Sequence, residues 1–166
     1  MTNFVHMAVA LWHSFRWSRF LLYVGAVPLG FMISCCKSNC CANIAHLYIS
    51  ILSFFCAWWS AVFANDASDF LADTVSGNKT VATQNAISPA AAKKIAFLFG
   101  LVAICVGTFV SHRHAICVAT FVLLSMIYSL KPLRIKQIPF IATGLLGIII
   151  LSAMCAGFAA DGNDFE

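Results

Sequence analysis

Four residues of this chain have the types and spacing for metal-assisted phosphate chemistry: Asn65, Asp66, Asp69 and Asp73. In a helix of 3.6 residues per turn, Asp66, Asp69 and Asp73 stand at i, i+3 and i+7 and share one face. Asn65, four residues before Asp69, flanks that face. Three carboxylates in one arc repel each other, so a cation is expected among them. Oxygen donors with no histidine or cysteine beside them suit Mg²⁺ rather than zinc or copper. Mg²⁺ usually takes one or two carboxylates, several waters and substrate phosphates, so the complement of this face is a phosphate or diphosphate ligand. The alternative is a solvated helix end that is merely acidic. Against it stands the scarcity of such residues: the chain has six acidic side chains, and Asp66, Asp69 and Asp73 are three of them.

The elements that must position this row are membrane helices. Of 166 residues, 61% are hydrophobic and 10% charged, against roughly a quarter charged in an average soluble domain. Mean hydropathy is +0.90. That composition excludes a soluble enzyme, and it excludes disorder, which is polar and charge-rich. The mild net charge of +4 does not suggest nucleic acid as a partner. A bilayer core about 30 Å thick needs about 20 apolar residues of helix. Five stretches come near that, at 20–36, 43–64, 95–111, 115–130 and 138–160. The expected fold is therefore all-α: a polytopic transmembrane helical bundle of about five spans, forming a single membrane domain. Polar loops at 65–94 and 131–137 separate the spans.

Charge placement sets the expected orientation. With the N-terminus in the cytoplasm, Arg16, Arg19, Lys79, Lys93, Lys94, Lys131, Arg134 and Lys136 lie inside, and only Lys37 and Arg113 lie outside. This satisfies the positive-inside rule. The acidic tail with Asp161, Asp164 and Glu166 then falls outside. The first dozen residues lack the features of a signal peptide. Phe4, Val5, Met7, Val9, Leu11, Trp12 and Trp17 instead suit a helix lying on the inner leaflet, the alternative being a frayed terminus.

At this point the residues resemble a known family. Asn65-Asp66-x-x-Asp69-x-x-x-Asp73 is similar to the first aspartate-rich motif, N-D-x-x-D-x-x-x-D, of the UbiA superfamily of intramembrane prenyltransferases. Ala86–Ile87–Ser88–Pro89 resembles the stretch opening that family's third helix. Tyr128–Ser129–Leu130–Lys131–Pro132–Leu133–Arg134–Ile135–Lys136 is similar to its segment after the fourth helix. The resemblance runs from about Arg16 to Ala160. It implies the N-terminal part of a nine-helix fold and an enzyme that transfers a prenyl group from a polyprenyl diphosphate to an aromatic or other lipid-precursor acceptor. Asn65, Asp66, Asp69 and Asp73 would then hold Mg²⁺ against the diphosphate, the three aspartates being the catalytic residues. Lys131, Arg134, Lys136 and Lys79 would neutralise its oxygens.

The chain departs from the family after its fifth span, where the second aspartate-rich motif is missing. Asp161 and Asp164, on the opposite side by the charge count, do not replace it. The expectation is a truncated or split enzyme completed by a second polypeptide. The alternatives are a homo-oligomer that completes the site by symmetry, an inactive remnant, and a non-enzymatic scaffold or cation-binding subunit. A transporter would carry charges near the middle of its spans, and these spans have none.

Other features have plainer readings. Cys35, Cys36, Cys40 and Cys41 form a thiol cluster to which no function is assigned. His112 and His114 are expected to be solvated in a tight turn, and His46 to bond a backbone carbonyl. Trp58, Trp59 and Tyr128 read as an aromatic belt, with a role in walling the prenyl chain as the alternative for the tryptophans. Gly25, Gly30, Gly144 and Gly147 suit close helix packing.

Overall fold

The computed structural model describes residues 2–38 and 43–160; Cys40, Cys41, Asp161 and Asp164 lie outside them. Every regular element among the described residues is helical. In chain order they are α1 (Thr2–Ser14), α2 (Trp17–Ser38), α3 (Ile44–Ser76), α4 (Pro89–Thr108), α5 (His112–Ser129) and α6 (Pro139–Ala159). A single 3₁₀ turn, Ile135–Gln137, interrupts the loop before α6. The chain is thus an all-helical polytopic bundle. Four helices, α2, α3, α4 and α6, are long and apolar enough to cross a membrane.

The fifth expected span, 115–130, is α5. It falls outside those four because its first turn is His112–Arg113–His114 and it is only 18 residues long. It packs against α3, α4 and α6 all the same, with Val118 and Phe121 fully buried. The helices close into a ring in which α2 meets both α3 and α6. Phe54 of α3, Phe121 of α5 and Val27 of α2 lie at its centre. Large apolar side chains such as Leu29, Met32, Leu98, Leu101 and Leu151 point outward. An apolar exterior of this extent requires lipid rather than water around it.

Local chemistry fixes the helix ends. The Ser88 hydroxyl accepts from the Ala91 N–H at 3.2 Å, and Pro89 follows at the first helical position. This cap and proline start α4, six residues before the apolar stretch expected from hydropathy. Ser111 caps α5 through the His114 N–H and donates to the Ala159 carbonyl of α6. Gly77, with φ of 73°, ends α3 in the left-handed region. At 33 residues, α3 is about 50 Å long. It carries the acidic row beyond the reach of a hydrocarbon core about 30 Å thick.

Backbone contact joins α2 to α6. A Cβ on Gly30 would stand 1.9 Å from the Met154 carbonyl oxygen, and one on Gly157 1.9 Å from the Val27 carbonyl oxygen. Gly100 and Gly107 of α4 face side chains of α3 and α5 more loosely, an added Cβ standing 2.9 Å from Val122 Cγ1 and 3.2 Å from His114 Cδ2. The expectation for Gly30 holds. Gly25, Gly144 and Gly147 have no such neighbour within 4 Å. Spacing along one helix does not say which glycine meets a partner.

Candidate functional site

One end of the bundle gathers the residues that can do chemistry. Three segments meet there: the last turns of α3, the hinge at Phe15–Arg16 between α1 and α2, and the loop 131–137. At 100° per residue, Asp66 and Asp73 are about 20° apart around α3, and Asn65 and Asp69 about 40°. The row therefore splits into two adjacent lines, and each line meets different partners.

Asn65 and Asp69 face the basic loop. Lys136 Nζ lies 2.6 Å from Asp69 Oδ2, 3.1 Å from Asn65 Oδ1 and 3.2 Å from Ser68 Oγ. Arg134 Nη2 donates to Asp69 Oδ1 at 2.7 Å. Both Asp69 oxygens are therefore held by cations. Burial draws the Lys136 ammonium below the ordinary lysine range, and the Asp69 carboxylate opposes that shift. The loop places Arg134 by taking a left-handed turn at that residue, with φ of 38°.

Asp66 faces the hinge. Its carboxylate is fully buried, and Arg16 Nη2 lies 3.6 Å from Oδ1. Neither oxygen has a partner within hydrogen-bond distance, but the Ser14 hydroxyl and the Val81 N–H lie beside the carboxylate. Arg16, like Arg134, adopts a positive φ, here 55°. Asp73 accepts from Asn78 Nδ2 at 3.0 Å through Oδ1, while its Oδ2 is buried without a partner.

The remaining predicted cations are more distant. Lys131 stays exposed on its loop and makes no ion pair with the motif among the described residues. Lys79 is exposed at the end of α3 and shares a shallow surface cleft with Asp73, Asn78 and Thr83. The structure thus brings Arg134 and Lys136 onto the acidic row and leaves Lys131 apart. Arg16 is the residue that counting charges by side did not assign to the site. Its place beside Asp66 depends on the chain reversing at Phe15, and no local pattern signals that.

Beside the row a small, partly open cleft enters the bundle between α2, α3, α5 and α6. Its mouth carries Arg16, Arg19, Asn65, Tyr128 and Ser129. Its walls are apolar and aromatic, with Tyr23, Trp58, Phe121 and Ile149 among them. Two aromatic expectations change here. Trp58 is a core residue whose Nε1–H donates to the Phe15 carbonyl at 3.0 Å. Tyr128 lines the cleft.

His46, His112 and His114 sit at the opposite end. His46 Nδ1 donates to the Ala160 carbonyl at 3.1 Å, as expected. His112 is exposed. His114 is fully buried rather than solvated, with Nδ1 2.9 Å from the Ala156 carbonyl and 3.3 Å from Ser50 Oγ. The cap at Ser111 turns this third residue of the sequence His–Arg–His inward.

The donors and acceptors at the acidic end can be tested against a metal. Among the described residues, no three His, Cys, Asp or Glu side chains converge closely enough to hold an ion by themselves. Asp69 is already neutralised. Asp66 and Asp73 nevertheless leave three buried carboxylate oxygens without hydrogen bonds. These are hard donors of the kind Mg²⁺ takes when phosphate and water complete its shell. The residues fit Mg²⁺ held through one or two carboxylates, and not through all three aspartates in this arrangement. No family model, curated protein or solved structure matches the chain.

Proposed function

We propose that the chain is the N-terminal part of a UbiA-type membrane prenyltransferase. In this reading it is an enzyme that moves a prenyl group from a polyprenyl diphosphate to an aromatic or other lipid-precursor acceptor. One observation carries the reading. Asn65 Nδ2 and Arg134 Nε are buried donors without partners, and Asp66 and Asp73 hold buried acceptors without hydrogen bonds, all at one end of one bundle. Native structures leave few buried polar groups unpaired. A ligand with both an anionic and a cationic component, such as a magnesium diphosphate, satisfies both sets. The walls of the cleft beside them are apolar and aromatic, the chemistry that the start of its hydrocarbon tail requires.

The residues then have distinct tasks. Asp66 and Asp73 would hold Mg²⁺, which when bound would supply Lewis-acid stabilisation for the departing diphosphate. Arg134 and Lys136 exchange part of their hold on Asp69 for the phosphate oxygens, to which arginine offers a fork and lysine a point charge. Arg16 and Arg19 flank the mouth and add to the positive field. As the allylic C–O bond breaks, positive charge develops on carbon. The faces of Tyr23, Trp58 and Phe121 stabilise a cation in that position. The same walls exclude water, which would otherwise capture the prenyl group.

One observation favours the rival reading of a non-enzymatic scaffold. The Asp69–Arg134–Lys136 pairs are complete without ligand and fasten the loop to α3. Calorimetric titration of the purified chain with geranylgeranyl diphosphate, with and without Mg²⁺, separates the two. Metal-dependent binding that falls tenfold or more in Asp66→Ala and Asp73→Ala supports the enzyme. Equal binding by wild type and both variants would sink it.

A further inference from the structure

The acidic end has a cover, and its outer surface is apolar. On α1, Val5, Val9 and Trp12 stand at i, i+4 and i+7, one face of the helix. They are 58%, 46% and 62% exposed. The opposite face is occupied. Ala10 is fully buried, and Met7 and Leu11 pack on Phe63, Ala67 and Val81 beneath. Ser14 closes the helix and is buried, its Oγ accepting from the Val81 N–H at 2.7 Å. Phe15 follows, its carbonyl held by Trp58. Arg16 then lies 3.6 Å from Asp66. The inner face and the hinge thus shut the fully buried Asp66 away from solvent.

The outer face continues into the surface that meets lipid. The Trp12 and Trp17 rings lie 4.9 Å apart across the hinge. Beyond Trp17, Leu21 and Leu22 of α2 are 65% and 55% exposed on a helix long and apolar enough to cross the membrane. Indole rings prefer the headgroup level of a bilayer. A helix with one apolar face lies in that layer.

We propose that α1 is a membrane-seated cover. Its Val5–Val9–Trp12 face rests in the headgroup–acyl boundary of the leaflet at this end of the bundle, and its inner face closes over Asp66. Access of a solute to Asp66 then requires α1 to lift, and the leaflet opposes that motion. The inference stands on the membrane reading of the bundle and does not require prenyl-transfer chemistry.

Two measurements on the full chain in phosphatidylcholine–phosphatidylglycerol vesicles test it. The first is the fluorescence difference between wild type and Trp12→Phe. Quenching of that difference by lipid doxyl-labelled near the headgroup, with protection from iodide, is expected. Iodide quenching without doxyl quenching would place Trp12 in water and overturn the occupant, and protection from both would indicate a protein contact and do the same. The second is labelling of Asp66 by a membrane-permeant carbodiimide, read by mass spectrometry with Asp69 as internal reference. In Val9→Gln/Trp12→Gln the Asp66 adduct should rise several-fold while the Asp69 adduct stays constant. Unchanged Asp66 labelling in a variant that retains the wild-type helical spectrum would overturn the cover. The milder Ser14→Ala, which releases α1 from Val81, should raise Asp66 labelling in the same direction.

Discussion

Arg16 and Arg134 are two of the three non-glycine residues with positive φ among the described residues, and each sits on an aspartate of the motif. A left-handed backbone at such a residue costs about 1–2 kcal/mol. Such strain gathers where the surroundings over-determine a geometry. The two aspartates they hold should nonetheless respond oppositely to neutralisation. Asp69 has two close cations, both largely buried. Asp69→Asn leaves Lys136 and Arg134 without their charge partner and should destabilise the protein by about 1–3 kcal/mol. Asp66 is fully buried, has no hydrogen bond, and its one cation retains some access to water. Asp66→Asn removes a desolvated charge and should be neutral or stabilising by about 1 kcal/mol. Thermal unfolding in a single detergent checks the contrast, and a comparable loss in both variants would contradict it. The basic loop was legible because its lysines and arginines stand together in sequence. Arg16 was not, because its pairing with Asp66 is a tertiary contact. The same holds for His114, whose burial depends on the turn between α4 and α5 docking against α6.

At the level of elements, hydropathy located the helices but not their limits. Helix α3 continues twelve residues past the apolar stretch 43–64 and ends only at Gly77. The Asp66–Asp73 segment is therefore as regular as the spacing argument requires, yet its residues divide between two sets of partners. That division comes from what docks on the helix, and a helical wheel alone does not contain it. The crossing of α2 and α6 is set by two glycines. Gly30→Ala and Gly157→Ala each drive a methyl against a carbonyl that belongs to backbone, so the helices must part. Each should cost about 1–3 kcal/mol, whereas Gly144→Ala and Gly147→Ala should leave stability unchanged or slightly higher. Denaturation in mixed micelles distinguishes the two pairs. Identical behaviour of all four variants would refute this account of the crossing.

For the whole molecule, composition alone pointed to a helical membrane bundle, because no soluble core accommodates so much apolar surface at this length. What the helices enclose was beyond sequence reading. The cleft exists only because α2, α3, α5 and α6 close around it, and its lining comes from residues more than a hundred positions apart. The expected orientation rests on the excess of lysine and arginine at the end that carries the acidic row. On the expected arrangement, with the N-terminus in the cytoplasm and α5 crossing beside the four long apolar helices, alkaline phosphatase fused to the C-terminus in a bacterial host should be active. An inactive fusion alongside normal expression would require the opposite orientation or an even number of crossings.

The unbroken course of α3 has a mechanical consequence. His46 near one end and Asp73 near the other belong to a single rod about 50 Å long. A tilt of about 5° pivoting at one end displaces the other by about 4 Å, by the length of such a rod. Helices answer a thicker or thinner bilayer largely by tilting. Bilayer thickness is therefore a lever on the spacing between the carboxylates of α3 and the cations that face them.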